Sequence, residues 1–120
     1  MSESLYQRLG GADGIARLVD DTMAAHLVNP LVKTRFETIK DMEHAKKMAR
    51  DFFGAGAGGP EVYTGKDMPT AHKGMNISEQ EYLAVTDDIV GAMQKQKLSE
   101  DTKKDVIAIL YSLKDAIIRL

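Results

Sequence analysis

A run of glycines in the middle of the chain limits the fold more than any other feature. Residues 54–60 read Gly-Ala-Gly-Ala-Gly-Gly-Pro. Each glycine in a helix interior costs about 1 kcal/mol relative to alanine, and proline cannot continue a helix. We therefore predict that one helix ends in this run and that a loop follows, with helical segments on both sides of it.

Apolar residues recur every three or four positions in four longer stretches, which is the period of an amphipathic helix. Long strand-like runs are absent, so the predicted fold class is all-α. In chain order we predict a short opening at 4–9, a helix over about 12–28, a tight corner at 31–40, a helix from Asp41 to the glycine run, a short element opening at Asp67, and helices over about 79–96 and 100–119.

The predicted helices carry recognisable start signals. Asp41 and Ser99 are of the residue types that cap helices, and Ser78 with Glu81 forms a capping box. The predicted inward faces are Ile15, Leu18, Val19, Thr22 and Met23; Met42, Ala45, Met48, Ala49 and Phe52; Tyr82, Val85, Ile89 and Met93; and Val106, Ile109, Leu110, Leu113 and Ile117.

Composition narrows the class of protein. The chain has 120 residues, a formal net charge of -2 and no cysteine. Its length fits a single domain, residues 1–120, and the missing cysteines exclude disulfides, thiolate metal sites and a cysteine nucleophile. A formal net charge of -2 gives no indication of the basic surface that binds nucleic acid. No apolar run approaches the roughly 18 residues of a membrane span. Residues 1–4 lack the pattern of a secretory signal. We expect a cytoplasmic protein with no nucleic-acid or membrane partner.

Three histidines are the candidates for metal chemistry. His26 lies near a helix end without a partner at ligand spacing, so we interpret it as an ordinary surface or hydrogen-bonded residue, and His44 similarly. His72 differs because it follows a glycine-proline turn and stands near the end of the short element that opens at Asp67. A segment that carries a metal ligand can approach a cofactor only if the preceding chain can bend.

Short motifs along the chain occur in a specific order: Leu5-Tyr6-x-x-Leu9-Gly10-Gly11, Asn29-Pro30-Leu31, Phe36, Asp41-Met42, Phe52-Phe53, Gly58-Gly59-Pro60, Tyr63-Thr64-Gly65, Met68, Ala71-His72 and Ile77-Ser78. In this order they resemble the group 1 truncated haemoglobins over nearly the whole chain. The resemblance implies a two-over-two helical sandwich around haem b, with His72 as the proximal ligand of the iron.

The resemblance also implies a set of pocket residues. Phe36 should pack on the haem face, while Tyr63 and His44 should lie near the propionates. The implied cofactor-binding residues are Phe36, His44, Ala45, Met48, Ala49, Phe52, Tyr63, Met68, His72, Met75, Tyr82 and Ile89.

The distal positions depart from the family pattern. Met23 stands where the family usually has a tyrosine, and Ala45 and Ala49 where relatives often have glutamine. Met48 stands where some relatives place a second histidine ligand. The distal ligand pocket is therefore expected to be apolar and to release oxygen quickly. Met48 is a candidate sixth ligand and His44 a competing one, with simple packing over the haem as the other reading of Met48.

Several functions remain compatible with the sequence. The main reading is a globin that binds O2, NO or CO opposite His72, served by an unidentified reductase and monomeric or weakly dimeric. The alternative is a six-coordinate haem protein for electron transfer or sensing, and a third reading is a cofactor-free helical module. Enzymatic activity is open: nitric oxide dioxygenation or a weak peroxidase-type reaction are candidates, although ligand binding is favoured because no catalytic carboxylate pair or Ser-His-Asp arrangement is present.

Overall fold

The computed structural model describes residues 3–120, and every regular element in this range is a helix. The prediction of an all-α fold is confirmed. The helices are α1 (Leu5–Arg8), α2 (Gly11–Val28), α3 (Lys33–Phe36), α4 (Met42–Gly56), α5 (Met68–His72), α6 (Glu79–Lys95) and α7 (Glu100–Leu113), followed by a 3-10 turn (Lys114–Ala116). Within the described residues, no helix is both long and apolar enough to cross a membrane.

The long helices pack as two layers. α2 lies against α4 and α6, and α6 lies against α7. Apolar side chains from α2, α6 and α7 fill the space between them, as the periodicity predicts. The central core consists of Leu9, Ile15, Leu18, Val19, Ala57, Ile89, Ala92, Met93 and Val106.

The predicted helix starts are confirmed by their hydrogen bonds. The carboxylate of Asp41 accepts the His44 N–H at 3.1 Å. Ser78 and Glu81 form both bonds of the capping box, each at 3.0 Å. The hydroxyl of Ser99 accepts a backbone N–H of α7 at 3.2 Å. These caps satisfy donors that the first turn of a helix leaves free.

α4 ends at Gly56, within the glycine run, as predicted. Gly54 lies inside the helix and is closely packed, because a Cβ there would run into the side chain of Glu61. One predicted helix end is wrong. α7 ends at Leu113 and not near 119. The chain instead turns back beside the segment that follows α5.

The returning chain is held by backbone hydrogen bonds. The carbonyl of Leu120 accepts the N–H groups of Gly74 and Asn76 at 3.0 and 2.8 Å, and Arg119 donates its N–H to the carbonyl of Ile77 at 2.8 Å. Ile117 stays buried, as its position on the predicted inward face requires. We call this pairing of residues 74–77 with 117–120 the clasp.

Candidate functional site

A cavity of about 320 Å³ lies between the two helical layers. Its lining is almost entirely apolar, and it falls within the size range of small-molecule sites. The walls come from α2, the α3 corner, α4, α5 with the residues that follow it, α6, and the end of α7. Every element of the sandwich except α1 therefore contributes to one partly open cavity.

His72 enters this cavity from α5. Asp67 caps the short helix by accepting the Thr70 N–H at 2.8 Å. Hydrogen bonding with the Thr70 side chain, and secondly with its backbone N–H, lowers the pKa of Asp67. The Nδ1 atom of His72 lies 2.8 Å from the carbonyl oxygen of Met68. Since a carbonyl can only accept, Nδ1 carries the proton and the neutral ring keeps its free lone pair on Nε2. Metal-ligating histidines commonly show this arrangement.

Most of the residues expected at the site line the cavity. They come from α2, the corner, α4, α5 and α6, and so lie far apart in sequence. The expected residues that line it are Met23, Phe36, Ala49, Phe52, Met68, His72, Met75, Tyr82 and Ile89.

Four expected residues lie outside the lining: His44, Ala45, Met48 and Tyr63. His44 is exposed on the first turn of α4, and Met48 is half-buried. Tyr63 packs edge-on against Phe52, with ring centroids 5.2 Å apart, and is therefore one layer behind the cavity. Met48 and His44 thus lie outside the cavity lining, and their assignment as a sixth iron ligand stays a prediction.

An ion pair that sequence reasoning did not assign closes one side of the cavity. Arg35 lies at 2.6 and 3.0 Å from the two carboxylate oxygens of Glu81, and it also donates to the carbonyl of Met75 at 2.8 Å. The Arg35 hydrogen bonds, with the Ser78 backbone N–H, lower the pKa of Glu81 to about 2. Arg35 therefore ties the corner to α6 and to the segment after His72.

His26 also lines the cavity, which its sequence context did not predict. Its side chain is 4% exposed, stacks on Phe36 with ring centroids 4.3 Å apart, and lies 2.7 Å from the Asp88 carboxylate. Burial lowers the pKa of His26, although the Asp88 carboxylate opposes this. Asp88 belongs to α6, so no local spacing in the sequence could have signalled the pair. The expectation that His26 is hydrogen-bonded is met, but not as a surface residue.

Comparison with known proteins agrees with this geometry. A family model described as bacterial-like globin matches residues 4–119. A group 1 truncated haemoglobin of Tetrahymena thermophila is 32% identical over 117 residues, covering 87% of this chain and 94% of the relative. The Fe(III) structure of the Tetrahymena pyriformis truncated haemoglobin superimposes with a TM-score of 0.93 at 24% identity, covering 98% and 100% of the two chains. The Synechococcus 2/2 haemoglobin, solved with covalently attached haem, gives 0.83 at 27% identity over 93% and 94%.

The two-layer helical sandwich around an apolar cavity, with His26 and His72 in the lining, has the architecture of a globin. The chain belongs to the bacterial-like globin family, among the group 1 truncated haemoglobins. It is accordingly a haem-binding globin, and the site fits that cofactor. The lining offers apolar surface for a macrocycle, and His72 offers an oriented nitrogen for its iron.

Proposed function

We propose that the protein binds a diatomic gas, O2, NO or CO, at a haem held through Nε2 of His72. The observation that carries the proposal is the 2.8 Å contact between His72 Nδ1 and the Met68 carbonyl. It fixes the ring tautomer so that the remaining nitrogen is a neutral donor to metal. When bound, ferrous haem supplies a reversible coordination site for such gases.

The residues of the chain have separate tasks in this function. His72 supplies the ligand, and Phe36, Met68 and Met75 surround the cofactor with apolar surface. Arg35 and Glu81 hold the wall together across three segments of the chain.

The wall on the side of α2 and α4 supports weak retention of polar ligands. Met23 and Ala49 line the cavity there and neither side chain can donate a hydrogen bond, whereas the Thr22 hydroxyl on the same wall can. One donor contact to a charge-carrying ligand is worth about 1 kcal/mol, which is roughly a five- to tenfold change in affinity. Oxygen should therefore leave faster than from a pocket with a tyrosine or glutamine donor, whereas the less polar CO should be affected little.

Replacement of the proximal ligand tests the proposal. His72→Gly should lose the ferrous five-coordinate spectrum and retain haem poorly, and added imidazole should restore the spectrum by occupying the vacated position. His44→Gly is the matched control, because His44 is exposed and outside the cavity lining. The proposal fails if His72→Gly keeps the wild-type spectrum and haem affinity without imidazole.

A further inference from the structure

Neighbouring contacts show which residue donates the proton in the hydrogen bond between His26 and Asp88. The Asn29 side-chain oxygen accepts the Leu31 N–H at 3.1 Å, so the other end of that amide donates to Asp88, at 3.1 and 3.2 Å. An ionised carboxylate only accepts hydrogen bonds. Nδ1 of His26 must therefore carry the proton that it shares with Asp88 across 2.7 Å.

This direction leaves Nε2 of His26 as an acceptor. Burial lowers the pKa of the ring, so the neutral form prevails near neutral pH and Nε2 keeps its lone pair. Within residues 3–120 no group donates a hydrogen bond to Nε2, and the ring lines the cavity. The other charged groups of the lining, Arg35 and Glu81, are paired with each other.

Thr22 stands one turn before His26 on the same face of α2 and lines the same cavity. It is 8% exposed, and its hydroxyl has no hydrogen-bond partner among the described residues. Buried hydroxyls normally have a partner, and an exception calls for a water molecule or a ligand. A threonine hydroxyl can donate and the His26 Nε2 can accept, so together they match a small molecule that both accepts and donates.

We propose that Thr22 and His26 form a contact site for a small protic ligand, water or hydrogen sulfide, on the α2 wall of the haem cavity. The ligand donates a hydrogen bond to Nε2 of His26 and accepts one from Thr22. Asp88 is the positioning residue, because it fixes the tautomer that makes Nε2 an acceptor. The inference rests on the proposed function, since the cavity is the one that holds haem.

Measuring the affinity of the ferric haem protein for two different ligands distinguishes a hydrogen-bonding site from a general effect of the variants on packing. Hydrogen sulfide carries protons at mildly acidic pH, whereas azide is an anion with none. His26→Phe should bind sulfide about tenfold more weakly, the equivalent of one hydrogen bond, with azide affinity unchanged or higher, because only a ligand that carries a proton can donate to Nε2. Thr22→Val should weaken the binding of both ligands, because sulfide and azide can each accept a hydrogen bond from the threonine hydroxyl. Thr102→Val is the matched control: Thr102 is 1% exposed, against 8% for Thr22, lies on α7 outside the lining, and shares its hydroxyl with Ser99.

Asp88→Asn tests the tautomer. The amide can donate to Nδ1, which allows Nε2 to carry the proton instead. The sulfide-to-azide affinity ratio should fall, and the C–O stretching frequency of the CO complex should move down, because a donor replaces a lone pair near the ligand. If Asp88 only ties α2 to α6, the stretching frequency stays at the wild-type value and the assignment of Asp88 is overturned.

The same measurements distinguish a failure of the contact site from a failure of the proposed function. If both variants keep the wild-type Soret band and CO binding, His26→Phe keeps the wild-type sulfide-to-azide ratio, and Thr22→Val keeps the wild-type affinity for both ligands, the contact site is overturned and the proposed function stands. If the wild-type chain takes up no haem, the proposed function fails and this inference fails with it. Because Thr22→Val preserves side-chain shape, it provides a result even if His26→Phe does not fold.

Discussion

At the scale of single residues, Arg35 links the α3 corner to two other segments that line the cavity. Its guanidinium contacts Glu81 through two nitrogens and the Met75 carbonyl through a third. This planar fork matches a carboxylate in a way that lysine cannot. Both partners are only partly exposed, at 29% and 21% of their side-chain area, so the pair is less screened by solvent than a surface salt bridge. We expect it to stabilise both the fold and the cavity wall.

Glu81→Gln should reduce the free energy of unfolding by about 1–3 kcal/mol at neutral pH, the range for a hydrogen bond to a charged group. The pKa of Glu81 is lowered from 4.5 to about 2 in the folded state. The stabilisation is therefore complete above pH 4.5 and is lost as the pH falls toward 2. Urea unfolding at several pH values should show the wild type and Glu81→Gln converging in acid. Glu37→Gln is the control, because Glu37 pairs with Lys33 only at 4.0 Å on the surface.

Met23→Tyr should slow oxygen dissociation about tenfold and change CO dissociation little. Met23 is buried in the cavity wall, so a hydroxyl there gives the ligand a donor that the wild-type side chain lacks. Stopped-flow measurement of both gases tests this. Met23→Phe adds the ring without the hydroxyl, so a similar slowing in both variants would assign the effect to steric hindrance and contradict the prediction.

At the scale of elements, the helix starts and the ends of α2 and α6 could be predicted, but the end of α7 could not. A start is encoded locally, by a capping side chain such as Asp41 or Ser78 three residues before the N–H that it accepts. An end depends on what the chain meets next in space. Glu61 fills the space beside Gly54, and the residues after Leu113 pair with a segment some forty positions earlier. Periodicity within one element carries no information about either event.

The two glycines at the end of α4 give a matched test. A Cβ on Gly54 meets the Glu61 side chain, whereas a Cβ on Gly56 meets nothing within 4 Å. Gly54→Ala should destabilise the protein by about 1–3 kcal/mol through overpacking. Gly56→Ala should stabilise it by up to about 1 kcal/mol, because alanine loses less backbone entropy in a helix.

Thermal or urea unfolding of both variants decides the point. Equal and stabilising effects would mean that Glu61 moves aside at no cost. The close packing of Gly54 against Glu61 would then have no energetic effect, and Gly54 would be an ordinary helical glycine.

At the scale of the whole molecule, the order of motifs predicted the sandwich, its family and most of the cavity lining. Met23, Phe36 and His72 lie in the cavity lining, and the roles toward haem that the resemblance implies for them stay predictions. His26 was missed because its partner Asp88 is 62 positions away on another helix, and such pairing is decided by packing. Met48 and Tyr63 lie outside the lining, since a shared helix face or a neighbouring loop position does not determine which residue reaches an enclosed space.

The clasp gives a prediction at this scale, because it joins the end of the described chain to the segment after His72. Arg119 donates its N–H to Ile77 and has a φ of 62°. Arg119→Pro removes that donor and demands a negative φ, so it should open the clasp and raise the rate of haem loss severalfold. Arg119→Gly keeps the N–H and accepts a positive φ, so it should lose haem at about the wild-type rate.

Haem transfer to an excess of an acceptor apoprotein measures both rates. Similar acceleration in the two variants would instead implicate the exposed contact of Arg119 with Glu79, at 3.7 Å. Unchanged rates in both would mean that the clasp does not limit cofactor loss.

The clasp also bears on how long the holoprotein lasts, as distinct from how tightly it binds. The clasp joins two segments that are remote in sequence. Its hydrogen bonds protect three backbone amides, those of Gly74, Asn76 and Arg119. Such a unit opens cooperatively, and its amides exchange hydrogen with solvent at a common rate. If opening frees the segment that carries His72, the exchange half-life of these amides sets an upper limit on the frequency of haem escape. The residence time of the cofactor would then depend on the opening of the clasp and not on the strength of the bond between His72 and the iron.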